Sequence, residues 1–244
     1  MQNENLVELR NVSISFGGVK AVQNVSFDIR RGEVLGLIGP NGSGKSTTVN
    51  IISGVCKQDS GEIVFDGTKL TPNMSVATRS KMGIGRTFQS PKPFANLTVF
   101  ENVYVAALVK HPKAQAAAQA RRVLSLTGLE KFADMSSAKL SIEKRKWLDL
   151  ARVICTDPKL LMMDEVMAGL NPKEMEDSLK LVRKINQEGI TILFIEHVMR
   201  AVMSICNDAI VLNEGELLCR GEPATVLKRQ DVIEAYIGRS ANGA

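Results

Sequence analysis

The chain has 244 residues, 44% of them hydrophobic, enough for one large α/β core or for a core with a smaller lobe attached. Lys and Arg number 31 against 26 Asp and Glu, a net charge of +5; this mild excess suits nucleotides, anionic lipid head groups or nucleic acid, and equally an ordinary solvated surface. No segment approaches the roughly 20 apolar residues that span a bilayer, and the start Met1-Gln2-Asn3-Glu4-Asn5 lacks the pattern of a secretory signal. A soluble chain is expected, one that meets a membrane only through another protein. The cysteines at 56, 155, 206 and 219 form no Cys-x-x-Cys pair and no metal-like group with His111 or His197, so free thiols are expected.

Leu6 to Arg10 and Val12 to Phe16 alternate apolar and polar residues on either side of Asn11, and Ala21 to Ile29 does the same before the turn Arg30-Arg31-Gly32. These read as antiparallel strands. Phe16 stands at a strand end before Gly17-Gly18, and two readings are open: it stacks on an adenine face, or it is a core residue.

Val34 to Ile38 reads as a buried strand leading into Gly39-Pro40-Asn41-Gly42-Ser43-Gly44-Lys45-Ser46, the pattern of Gly, four residues, Gly-Lys-Ser/Thr that binds phosphate when it joins a strand to a helix. Glycines accept positive φ and carry no Cβ, so several N–H groups can converge on one anion at a helix N-terminus. Lys45 is predicted to reach the β and γ phosphates, and Ser46 to ligate the Mg²⁺ that bridges them. Thr47 opens the predicted helix to Ile52 and completes a nucleotide-binding set spanning residues 39 to 47.

Glu62 to Asp66 is a further strand between Gly61 and Gly67. Residues 71 to 83 are polar with helical spacing, Ile84 to Gln89 returns to strand character, and Pro91 and Pro93 break regular structure. Leu97 to Val109 reads as a helix capped by Thr98 or Asn96, and Lys113 to Leu126 as an Ala-rich helix ending near Gly128. Ser141 caps a helix from Ile142 to Ile154 that ends at Asp157-Pro158.

Leu160-Leu161-Met162-Met163 reads as a central strand, buried on both faces, and Asp164-Glu165 emerge at its C-terminal edge, where open α/β sheets bind ligands. Asp164 can hold Mg²⁺ and Glu165 can polarise a water for attack on the γ-phosphate. A helix follows from Asn171-Pro172 to about Asn186. The strand Ile190 to Ile195 delivers Glu196-His197, and a neutral His197 imidazole there can donate to the γ-phosphate and hold the attacking water. A hairpin around Asn213-Glu214-Gly215 and a short helical tail from Glu222 with a polar end complete the chain.

The order of Phe16, Gly39 to Ser46, Gln89, Ser141, Asp164-Glu165 and His197 resembles, across nearly the whole chain, the nucleotide-binding subunit of ATP-binding cassette (ABC) transporters. The resemblance implies ATP and Mg²⁺ as ligands, Glu165 as catalytic base, and Gln89 as a sensor of Mg²⁺ and the γ-phosphate that moves with a transmembrane partner. Gly83 to Gln89 with Leu97-Thr98-Val99, Met167 to Pro172, Ile195-Glu196-His197 and Val232-Ile233-Glu234-Ala235-Tyr236 look like the ATPases of branched-chain (hydrophobic) amino acid importers. The family usually reads Leu-Ser-Gly-Gly-Gln at its signature; here it is Leu140-Ser141-Ile142-Glu143-Lys144. Ser141 would complete the ATP site of the opposite subunit, where Glu143 would repel a phosphate unless Lys144, Arg145 and Lys146 offset it.

The fold expected is a single nucleotide-binding domain over 1–244: a P-loop α/β core with a mixed sheet and an antiparallel β layer (1–89 and 156–220), an inserted helical subdomain (90–155) and a helical tail (221–244). The resemblance implies permease subunits and a second ATP-binding subunit, identical or different, in a head-to-tail dimer. It also implies a solute-binding protein acting indirectly, and a place on the cytoplasmic face of the cell membrane. The expected activity is ATP hydrolysis that powers import of hydrophobic amino acids or a related solute. An ATP-gated regulatory subunit and the ATPase of a lipid exporter are the alternatives. No internal repeat is present, and ABC proteins of ribosomes or DNA usually carry two cassettes, so no nucleic-acid partner is expected.

Overall fold

The computed structural model describes residues 4–87 and 92–237. Gln89 and the polar end beyond Ile237 lie outside the described residues. The chain forms two compact units, one up to Val76 together with Thr191 onward, the other Ala77–Ile190.

The first unit opens with β1 (Asn5–Phe16) and β2 (Val19–Arg30), paired antiparallel with Leu9 opposite Phe27 and Val12 opposite Val25. Asn11 does not divide β1 into two strands, as its polarity suggested. It sits at φ 49° within one continuous strand, the register shifts between Leu9 and Val12, and its N–H donates to Ser26 Oγ at 2.8 Å, so the irregularity is a bulge. Gly17 and Gly18, at φ 54° and 87°, make the two-residue turn that places Phe16 opposite Val19. Then come β3 (Val34–Ile38), buried at every position, α1 (Lys45–Ser53), β4 (Ser60–Phe65) and β5 (Thr68–Leu70). The antiparallel sheet has the order β2-β1-β4-β5. Its last strand, not foreseen, is only 3 residues long and follows the turn at Asp66-Gly67, both at positive φ.

The second unit holds α2 (Val76–Met82) from its second residue on, β6 (Ile84–Arg86), α3 (Val99–Ala107), α4 (Lys113–Leu126), α5 (Ile142–Ile154), β7 (Leu160–Asp164) and α6 (Pro172–Gln187). The helix expected over 71 to 83 begins only at Val76, and the strand expected to reach Gln89 ends at Arg86. β6 and β7 run parallel, Arg86 opposite Met162. Thr98 rather than Asn96 caps α3: Thr98 Oγ1 accepts from the Glu101 N–H at 3.1 Å and Glu101 Oε2 accepts from the Thr98 N–H at 2.7 Å, a reciprocal capping box. The fully buried Asn102 then fixes the approach to that helix. Its Oδ1 accepts from the Phe94 N–H at 2.8 Å, and its Nδ2 donates to Phe94 O and Thr98 O at 3.1 and 2.9 Å.

The chain returns to the first unit with β8 (Thr191–Ile195), α7 (Met199–Ile205), β9 (Asp208–Asn213), β10 (Glu216–Gly221), α8 (Pro223–Val226) and α9 (Gln230–Ile237). β3 lies between β8 and β9, parallel to both, and β10 adds antiparallel to β9. Ile38, Val202, Val211, Val226 and Val232 share one buried cluster, so α7, α8 and α9 all pack near the end of β3. All four cysteines are free thiols.

Candidate functional site: a phosphate cradle

Because β3 and β8 run parallel with Leu37 opposite Ile195, their C-terminal ends emerge at one edge. There β3 gives way to the glycine-rich loop and β8 to Glu196-His197. The loop's geometry demands its glycines. Gly39 sits at φ 148°, and a Cβ there would come within 2.1 Å of Leu212 O; Gly44 sits at φ 101°, where a Cβ would meet Ala21 O at 2.6 Å. Gly42, at φ 79°, has open space around it. The backbone is thus pressed between β9 and β2.

Gly44 is the N-cap of α1, with no side-chain cap bond and no acidic residue in the first turn. That leaves the helix N-terminus, with its partial positive charge, open to an anionic ligand. Lys45 is buried, its Nζ donating to Gly39 O and Pro40 O at 2.8 Å each. Ser43 is buried beside it, and Ser46 is exposed on the first turn. A buried ammonium folded back over the loop, next to an open helix N-terminus, fits a bound polyphosphate.

Phe16 is 50% exposed, which rules out the core reading and leaves its ring presented to solvent at the tip of the hairpin. That hairpin adjoins the cradle, since Ala21 of β2 is what a Cβ at Gly44 would strike. His197 is exposed, whereas Glu196 before it is buried.

In the second unit Asp164 ends β7 and is 6% exposed. Arg86 Nη2 donates to Asp164 Oδ2 at 3.0 Å in a largely buried pair, and the Asp164 N–H donates to Thr87 Oγ1 at 3.3 Å. Glu165 takes φ 51°, a left-handed conformation that costs a non-glycine residue about 1 kcal/mol or more.

The departed signature is self-contained. Ser141 caps α5, its Oγ accepting from the Lys144 N–H at 3.3 Å. Ile142, where the family has glycine, is 73% exposed. Of the three cations expected to offset Glu143, Lys144 lies 3.4 Å from its carboxylate, with its Nζ 3.2 Å from the Trp147 ring centroid. Arg145 donates to Ala138 O, and Lys146 to Val166 O and Ala168 O, which pins α5 to the turn after Glu165.

The structure therefore gathers the loop, Phe16 and His197 on one unit, and Asp164, Glu165 and Ser141 on the other. Two participants were missed. Arg86 lies inside the Gly83 to Gln89 motif, and its partner lies 78 residues away. Tyr236, whose hydroxyl receives the Gly39 N–H at 2.8 Å, lies 197 residues from it.

A strand, a glycine-forced loop and an uncapped helix within a mixed α/β sheet define a P-loop nucleotide-binding protein. The family model for ABC transporters matches residues 22–168. The chain is 34% identical to the high-affinity branched-chain amino acid transport ATP-binding protein BraF of Pseudomonas aeruginosa, over 96% of this chain and 98% of that protein. It is 35% identical to the corresponding protein LivG of Escherichia coli, over 98% and 100%. Among solved structures, the ADP conformation of MJ1267, an ATP-binding cassette of an ABC transporter, superposes with a TM-score of 0.88 at 31% identity, covering 97% of this chain and 100% of that one. The chain belongs to the ABC transporter family, as one of its ATPase cassettes.

Proposed function

We propose that the chain hydrolyses ATP to power an importer of branched-chain or other hydrophobic amino acids. The observation that carries the reading is the cradle itself, together with relatives of that description matched over nearly their whole length. The triphosphate lies in the loop from Gly39 to Ser46, with Thr47 behind it, and the exposed Phe16 ring stacks on the adenine. Lys45 leaves its loop carbonyls for the β and γ phosphates.

Mg²⁺ suits the donors on offer, the Ser46 hydroxyl, the Asp164 carboxylate and the Gln89 side-chain amide, because all present oxygen. Held by those residues, the ion would supply positive charge that offsets the negative charge developing on the phosphates. Glu165 takes the proton of the attacking water, and His197 orients that water and donates to the γ-phosphate. The remaining catalysis is positioning and charge complementarity from the loop amides and Lys45.

No helix among the described residues is long and apolar enough to cross a membrane. The cassette accordingly works as a peripheral subunit on the cytoplasmic face, docked on permease subunits, with a solute-binding protein delivering the cargo from the other side. It pairs head to tail with a second ATP-binding subunit. The self-contained signature supports an unequal pair: the exposed Ile142 and the Glu143 carboxylate suit a phosphate poorly, so the ATP on this chain's own loop is the one turned over.

The test is Glu165→Gln in the assembled transporter. A fall in ATP turnover of about 100-fold or more, with ATP still bound, is expected for loss of the base. Retention of most of the turnover would reject both the base and the unequal pair.

A further inference from the structure

The tail helix α9 resembles the importer subgroup in its Val232 to Tyr236 motif, yet nothing in the reaction uses it. Tyr236 is 38% exposed, but two residues of the helix reach the loop. Val232 is 1% exposed and belongs to the same buried cluster as Ile38, the residue immediately before the loop. Tyr236 lies one helical turn further on, on the same face, and its hydroxyl oxygen accepts the Gly39 N–H at 2.8 Å. Burial pushes the Tyr236 hydroxyl's pKa up, against a smaller opposing effect from the Gly39 N–H, so the group is a neutral phenol at ordinary pH.

Both backbone polar groups of Gly39 are therefore engaged. The N–H is held by Tyr236, and the carbonyl receives Lys45 Nζ at 2.8 Å. Gly39 is also the tightest point of the loop, because a Cβ there would lie 2.1 Å from Leu212 O. Tyr236 grips the peptide that enters Gly39, and the resting ammonium of Lys45 hangs on the peptide that leaves it, so both bonds act on this one residue.

We infer that Tyr236 is a positioning residue of the nucleotide site, an anchor from the tail that pre-sets the first peptide of the phosphate loop and thereby tightens ATP binding. The inference rests on the loop being the ATP site. Pre-organisation of this kind raises affinity by lowering the ordering cost at binding. By linkage, bound nucleotide must in turn tighten the anchor.

Tyr236→Phe keeps the ring and removes only the oxygen. With the full chain and the fluorescent analogue mant-ATP plus Mg²⁺, the Kd is expected to rise about 3- to 10-fold, the range of one net hydrogen bond. In the assembled transporter the KM for ATP should rise by a similar factor with kcat within twofold, because the hydroxyl touches no reacting atom. A helix end that only packs would lower Tm and leave Kd and KM unchanged, and an unchanged Kd overturns the inference whatever Tm does. Should the variant fail to fold, amide exchange at Gly39 in the unaltered protein decides: slowing of about threefold or more on adding mant-ATP supports the anchor, and no change overturns it. Absence of mant-ATP binding by the unaltered chain would instead strike at the ATP reading.

Discussion

Replacing glycines of the phosphate loop one at a time separates backbone strain from steric collision. Gly42→Ala adds a methyl group into open space at φ 79°, so its cost is the left-handed strain alone, about 1 to 2 kcal/mol. For a chain of this size that corresponds to a Tm loss of roughly 2 to 8 °C. Gly39→Ala carries strain at φ 148° and also drives the new Cβ to 2.1 Å from Leu212 O and 2.6 Å from Ser43 Oγ. Leu212 is backbone of β9, next to the Ile38–Val211 pair, so relief means separating two central strands or re-routing the loop. We expect Tm to fall by more than about 10 °C, several kcal/mol by the same conversion, and mant-ATP binding to disappear. Thermal unfolding by circular dichroism with a parallel fluorescence titration measures both. Equal Tm losses for the two variants, or Gly39→Ala with unaltered Tm and affinity, would refute the claim that contact with β9 shapes the loop.

Arg86→Met strands Asp164 in a largely buried site and should cost about 3 kcal/mol, read as a lower urea midpoint. Adding Asp164→Asn should recover much of that loss, and no recovery would mean the pair is not the cause. Burial pushes the Cys206 thiol up to about 12, with a further push from Glu196, and burial likewise pushes Cys155 to about 12, with Asp157 adding to it. Folding thus favours the neutral thiols: their contribution is complete below the unfolded value near 9 and is lost as pH rises from there toward 12. Urea unfolding from pH 8 to 10.5 should show stability declining above pH 9, less steeply in Cys206→Ala; the same slope in that variant would contradict it.

The phosphate loop was legible because its chemistry and its context are contiguous: a fully apolar strand, three glycines, a lysine and a helix follow one another within twenty residues. The strands β7 and β8 were equally plain, as runs of four apolar residues, Leu160 to Met163 and Ile192 to Ile195, each followed by polar site residues. Asn11 misled because a polar residue in a strand reads as a break, whereas a bulge absorbs it at positive φ without ending the pairing. β5 was invisible since three residues carry no periodicity, although the Asp66-Gly67 turn before it was a usable signal. Arg86 and Tyr236 were beyond reach for another reason. A hydrogen bond between residues 78 or 197 positions apart leaves no local pattern. Phe16 could be resolved only by its exposure, which alternation along β1 does not fix at a hairpin tip.

Calorimetric titration of ATP into the folded chain, with and without Mg²⁺, compared with Lys45→Ala, tests the central claim most directly. One ATP per chain is expected, bound more tightly with Mg²⁺, with Lys45→Ala losing about 100-fold or more in affinity, as removal of a buried charge partner of a phosphate implies. Uptake by Lys45→Ala equal to that of the unaltered protein, or no uptake by either, would contradict the account.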